Sequence, residues 1–549
     1  MQSNAGPPYL SYDDYLSQIR IFIIVLASLF RRLADLSFVC SSGQIFFDGS
    51  LPDPKREERR ERLNATISKM VRCIDWPSQR RALGGNSLPF LVASVLEGLR
   101  ASEFKELTRM VPGEADWWCA EQSWHAANGA AAVIFTNDSD LLASELRPSS
   151  LVVMFRDILE VRTEFRPYCP GDIAKALGLG ADLQSLAYSV TTGHGTRTLK
   201  GRVKSAIEAD ATHGKKYNDY LKTIFKRSMI EGVEQEFAKI ESKVKGDVLQ
   251  KLDPRVSELF LRLLGFVHNQ GDAQAALEIY LPVLVEDMSY ANAWRCDAAT
   301  DIRTLAYSLI TTVDGKTVRE FVRKGAQAGV NEVHLFDSEF QIEFCKKITK
   351  YLKTWLKTHT SLTPTQKWRL YASKAALLHL NQSPSSYFPQ TLRAVQGRIH
   401  PGGPHTQFRA LVNAILYSLR ILSQSTDLFR NLDPEIVHVD DALLSAVRDL
   451  SEILRTMPKI ADLFPSSDLD PESLPRDQKL VAAIKRLKGM IEEQESDDEG
   501  TGKQDGKVSN RKRKRKKGVS SEAVRAADKS NPYALLDLLD GGQGSDDEE

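Results

Sequence analysis

The sequence predicts an α/β domain, with a largely parallel sheet flanked by helices, followed by a mainly α-helical region and a disordered tail. Three observations predict it. Residues 1–200 alternate short apolar, strand-like runs with helical stretches, the pattern of a parallel sheet covered on both faces. Residues 201–490 carry segments with apolar residues at i, i+3, i+4 and i+7. Residues 491–549 alternate acidic and basic blocks and hold few apolar side chains, too few for burial to offset chain entropy.

The elements follow in order. Residues 21–30, IFIIVLASLF, read as a buried helix, because ten residues cannot cross roughly 30 Å of hydrocarbon and no clear cleavage site follows. Gln44-Ile45-Phe46-Phe47 reads as a strand ending at Asp48, and residues 54–72 as a charged helix. Residues 88–110 read as one further helix. A helix opening with Glu114 and Asp116 comes next, then a strand, Ala132-Val133-Ile134-Phe135, ending in Asp138 and Asp140. Leu151-Val152-Val153-Met154-Phe155 reads as another strand. In the second region, VSELFLRLLGFV, DIRTLAYSLI and TQFRALVNAILYSLRIL read as helices, and residues 255–287 as a helical hairpin turning at Asn269-Gln270-Gly271-Asp272. Breaks fall near residues 382–389 and 400–404.

With 549 residues, the chain can bury a large core and hold more than one domain. Its 73 Lys and Arg balance 72 Asp and Glu, so net charge points to no partner class. Six scattered cysteines without a C-x-x-C pair argue against a disulfide framework or zinc site and for a reducing compartment. No P-loop, dinucleotide-binding glycine pattern or Ser/His/Asp order is present.

The chemistry concentrates in acidic residues at element ends. Asp48, Asp138 and Asp140 end apolar strands, and strand carboxyl ends are where open α/β sheets place their sites. Were the two strands parallel neighbours, those carboxylates would share one sheet edge, with Glu114 and Asp116 across from it. Crowded carboxylate oxygens suit a hard cation such as Mg²⁺ or Mn²⁺, and two such ions can clamp the attacking and leaving oxygens of a phosphodiester. The plainer reading is that acids at helix starts complement the dipole and at strand ends form turns.

Ile45-Phe46-Phe47-Asp48-Gly49-Ser50-Leu51-Pro52, followed by Lys55-Arg56 and an Arg/Glu-rich helix, resembles the N-region signature of the flap-endonuclease/XPG-like nucleases. Gly113-Glu114-Ala115-Asp116, Cys119-Ala120 and Thr136-Asn137-Asp138-Ser139-Asp140-Leu141-Leu142 resemble that family's internal signature. The likeness covers roughly residues 15–200. Residues 282–287 and 302–309 resemble the asteroid branch in a fungal-type version. The resemblance implies a PIN-like α/β fold that binds Mg²⁺ or Mn²⁺, two ions by family analogy, and cleaves flap, hairpin or single-stranded DNA, as in DNA repair. Asp48, Glu114, Asp116, Asp138 and Asp140 would be its catalytic metal ligands. Lys55, Arg56, Arg59 and Arg60 would lie near the scissile phosphate, or else form a solvated helix face with Glu57, Glu58 and Glu61. Lys200, Arg202 and Lys204 would contact phosphate by charge.

The chain departs from the family pattern twice. The family opens with a strand carrying its first metal-binding Asp, and here Asp13 and Asp14 follow no apolar strand. Gly193-His194 also stand where the family has a Gly-x-Asp-Tyr turn. Either upstream coding sequence supplies the strand, or the ligand set is incomplete and the domain is a catalytically degraded scaffold that binds nucleic acid or protein.

In the tail, Arg511-Lys512-Arg513-Lys514-Arg515-Lys516-Lys517 reads as a nuclear localisation signal. Residues 531–539 form an apolar island suited to a protein partner's groove, and Ser496 and Ser545 precede acidic runs that suit phosphorylation. Trp117, Trp118 and Trp124 read as core. No segment implies a membrane.

Overall fold

The structure is a computed structural model that describes residues 43–51, 55–75, 90–126, 131–155, 157, 167–192, 198–212, 214–221, 230, 232–263, 277–284, 293–311, 317–381, 391–392, 394–395, 406–433, 440–464, 478–479 and 481–486. The apolar run at 21–30, Asp13, Asp14, His194, the turn at 269–272, the breaks near 382–389 and 400–404, Ser496, Arg511–Lys517, residues 531–539 and Ser545 lie outside them.

The first half runs β1 (Ile45–Asp48), α1 (Arg56–Asp75), α2 (Leu91–Arg100), β2 (Thr108–Val111), α3 (Ala115–Trp124), β3 (Val133–Thr136) and β4 (Leu151–Met154). Helices α4 (Pro170–Leu177), α5 (Gln184–Thr192), α6 (Leu199–Thr212), α7 (Lys215–Leu221) and α8 (Val233–Ser242) follow. The expected single helix over 88–110 is corrected. It stops at Arg100, and the chain passes through a short 3₁₀ turn into β2. Ser102 Oγ donates to the Leu99 carbonyl and accepts the Phe104 amide, a local alternative to continued helix. Burial of Thr108, Met110 and Val111 then rewards an extended segment.

The sheet differs from expectation as well. β1 pairs in parallel with β2, Asp48 opposite Val111, and β3 pairs in parallel with β4, Thr136 opposite Met154. Among the described residues these are two separate two-stranded sheets, so β1 and β3 do not share a hydrogen-bonded edge. Helix α3 packs on both β1 and β3. Its Trp118, 2% exposed, clusters with Val111, Ile134 and Leu141 and lies 6.4 Å from the Phe46 ring. The tryptophan read as core is the bolt between the two strand pairs.

The second half runs α9 (Pro254–Leu263), β5 (Leu277–Tyr280), α10 (Asp297–Thr311), β6 (Thr317–Lys324), β7 (Gln327–His334), α11 (Ser338–Thr358), α12 (Pro364–His379), α13 (Thr406–Asn431), α14 (Asp441–Leu454) and α15 (Ile460–Leu463). The three amphipathic helices predicted there are α9, α10 and α13. The mainly helical region also holds three strands that the sequence did not announce: β5 lies parallel to β6, which lies antiparallel to β7. The second arm of the expected helical hairpin is strand β5, buried along its length. A run as short as Leu277-Glu278-Ile279-Tyr280, buried on both faces, carries no period that separates a strand from a helix. Gly325, at φ +64°, turns β6 tightly into β7.

One large core joins Phe90, at the N-cap of α2, and Ala93 of α2 to side chains from α8 through α15. Inside it Arg303 forms a bidentate pair with Glu320, at 2.6 and 3.0 Å. Tyr307 donates to Glu320 at 2.9 Å, and Arg303 donates to Ser418 Oγ at 3.0 Å and the Trp294 carbonyl at 2.8 Å. No described helix is long and apolar enough to cross a membrane.

Candidate functional site

Two glycines place the first acids. Gly49 follows Asp48 and donates its amide to the Val111 carbonyl at 2.8 Å. A Cβ there would lie 2.3 Å from that oxygen, so only glycine lets β1 leave the sheet against β2. Gly113, at φ +79° with its amide on Ser50 Oγ, turns β2 into α3 and sets Glu114 at the helix start. Glu114 does not cap its own helix. Asp48 does so from the neighbouring strand, accepting the Ala115 amide at 2.6 Å. The dipole-complementing role foreseen for acids at helix starts therefore falls to Asp48.

Asp138 and Asp140 stand on a turn built by their own neighbours. Thr136 Oγ1 accepts the Asp138 amide, and Asp138 Oδ1 accepts the Asp140 amide, both at 2.9 Å. Glu114, 8% exposed, pairs with Lys55 at 2.7 Å. Neither Asp116 nor Asp140 has a hydrogen-bond donor to its carboxylate among the described residues.

The titration shifts show which acids share a field. Burial pushes Asp116 up to about 7, helped by the charges of Asp138, Asp48 and Glu114. Glu114 is raised by burial and by Asp48 and Asp138 against the lowering pull of Lys55. Asp140 is raised by burial and then by Asp138. The Asp48 carboxyl reaches solvent but is crowded by protein, which raises it against the Ala115 amide, Lys55 and Arg59. Residues from three element ends thus form one repulsive recess.

A raised carboxyl works against the fold at high pH. Between 3.8 and about 7 the folded chain keeps a proton on Asp116 that the unfolded chain has released. Stability conferred by that proton is present at low pH and falls as pH rises through this window, and Asp48, Glu114 and Asp140 shift in the same sense. Metal-free protein is expected to melt lower at pH 8 than at pH 5.5. Asp116→Asn should flatten the dependence, as differential scanning calorimetry would show.

An all-oxygen, mutually repelling donor set has the chemistry of a hard-cation site. As they stand, however, no three His, Cys, Asp or Glu among the described residues already enclose an ion position. Asp48, Glu114, Asp116, Asp138 and Asp140 would hold the ion after side-chain adjustment.

The basic residues at the start of α1, with Lys55 just before it, divide. Lys55 faces the recess. Arg59 bonds both oxygens of buried Glu258 at 2.5 and 2.7 Å and lies 4.2 Å from the Tyr280 ring centroid. Arg56 and Arg60 each approach buried Glu278 at 3.4 Å, and Arg60 lies over Phe321. These arginines dock α1 onto α9, β5 and β6, a role that sequence spacing could not reveal because the acidic partners lie about two hundred residues away. Arg59→Ala should cost about 1.5–3 kcal/mol, the range for a hydrogen bond to a charged group. Urea denaturation measures it, and an unchanged midpoint would exclude the docking role.

On α6, Lys200 is exposed, Lys204 lies 3.9 Å from Glu208, and Arg202 donates to the Ser189 carbonyl of α5. The sequence reading missed a tyrosine cluster beside the recess. Tyr188 lies 5.1 Å from Tyr217 and 5.3 Å from Tyr220. Burial, with the charge of Asp140, pushes the Tyr220 hydroxyl up to about 12.

Residues 87–335 match a family model described as XPG domain containing. That XPG-like stretch carries Glu114, Asp116, Asp138 and Asp140 and runs through β7, while Asp48 and Lys55 precede it. No curated protein and no solved structure matches the chain.

Proposed function

We propose that this chain is a nuclear, metal-dependent, structure-specific endonuclease of the asteroid type, acting on flap, hairpin or single-stranded DNA, as in DNA repair. The observation that carries the reading is the gathering of Asp48, Glu114, Asp116 and Asp138 into one field on a chain whose XPG-like stretch holds three of them. Bound Mg²⁺ or Mn²⁺ would supply Lewis-acid charge and an activated water there. The carboxylates position the ions and are not nucleophiles. Lys200 and Lys204 draw the phosphate backbone by charge, and Arg511–Lys517 carry the chain to the nucleus.

Labelled flap, hairpin and single-stranded DNA incubated with the full chain test this. Cleavage in Mg²⁺ or Mn²⁺ that disappears with EDTA is expected. Salt-sensitive binding without cleavage in either metal would instead favour a non-catalytic nucleic-acid scaffold. That second reading draws on Gly193-His194, which stand where the family has a Gly-x-Asp-Tyr turn.

A further inference from the structure

We propose that Lys55 is the resident counter-cation of the acidic recess, and that it releases Glu114 when a divalent cation binds. The inference rests on the metal-dependent reading above and adds to it an intramolecular competitor that sets metal affinity.

Glu114 is nearly sealed from solvent, and its one hydrogen-bonded cation among the described residues is Lys55 at 2.7 Å. The neighbouring cations of α1 are engaged elsewhere: Arg59 on Glu258, Arg60 on Glu57 and Glu278, and Arg62 on Glu58. The pairs of Arg59 with Glu258 and of Arg60 with Glu278 anchor α1, so the Lys55 backbone is held beside the recess. Its side chain is not held equally: at 34% exposure, the four-carbon stem has open solvent into which to swing. Lys55 also acts electrostatically on Asp48, Asp116 and Asp140, so one ammonium serves most of the acidic set.

A single charge on one carboxylate is a poorer match than a doubly charged ion shared among several. Exchange is therefore favourable, but its free energy is reduced by the pair that must break. Removing the ammonium should strengthen divalent binding, opposite to the effect of deleting a metal ligand.

Two measurements on the full chain test this. Acetic anhydride footprinting of the wild-type protein should show Lys55 modified faster with Mn²⁺ than without, relative to Lys200 and Lys204 as internal controls. Isothermal titration with Mn²⁺ should show Lys55→Met binding about tenfold tighter, about 1.4 kcal/mol, with Lys55→Arg close to wild type. Lys55→Gln replaces the Met variant should that one fail to fold. Mn²⁺ binding with unchanged Lys55 labelling, or with equal or weaker affinity in Lys55→Met, overturns the proposal and leaves the metal-dependent reading standing. No Mn²⁺ binding by wild type or by Lys55→Met overturns both.

Discussion

Arg303→Met is expected to lower the unfolding free energy by about 3–5 kcal/mol, the cost of stripping one partner from a buried ion pair. Arg303 and Glu320 are both fully buried, and their two-pronged bond joins α10 to β6. Without the guanidinium, the Glu320 carboxylate keeps the Tyr307 hydroxyl at 2.9 Å but is paired with no other cation among the described residues. Ser418 Oγ on α13 and the Trp294 carbonyl each lose one hydrogen bond at the same time, keeping those to the Ala414 carbonyl and from Thr300 Oγ1. A second substitution, Glu320→Leu, removes the orphaned charge, so the double variant should recover much of the loss. Urea denaturation followed by circular dichroism reads the cycle. A double variant no better than Arg303→Met would mean that packing, and not the unpaired charge, sets the cost.

The second large effect concerns chemistry. Asp138→Asn with Asp140→Asn should cut Mg²⁺-dependent cleavage by roughly 10²–10³-fold or more, taking the loss of one aimed electrostatic group as the lower guide. Asparagine is the informative replacement, because its Oδ1 can still accept the Asp140 amide that Asp138 now accepts, and the turn survives. Removing two charges from a recess where the acids raise one another's pKa should leave the melting temperature unchanged or higher. Wild-type cleavage in the double variant would remove these residues from the mechanism.

Local rules read well in this chain. β1, α3, β3 and β4 were legible because each is a short apolar or amphipathic run bounded by Gly, Asp or a turn. The acidic residues were legible because they sit at the ends of those runs. The β2 strand was not: Thr108-Arg109-Met110-Val111 continues a helix-like run, and only pairing with β1 rewards its extended form. β5 was hidden for a related reason, since burial on both faces erases its alternation. The arginines of α1 read as either a phosphate-facing set or a solvated helix face because their acidic partners, Glu258 and Glu278, are remote in the chain.

The sequence by itself determined which residues could carry chemistry, because strand ends and helix starts follow from nearest-neighbour propensities and turn glycines. Tertiary structure alone decided how those residues are used. It set Asp48 on the start of α3, Lys55 on Glu114, and Arg56, Arg59 and Arg60 of α1 on buried acids. Charge pairing acts through space over a few ångströms, and no spacing along the chain encodes which distant carboxylate a given cation will meet.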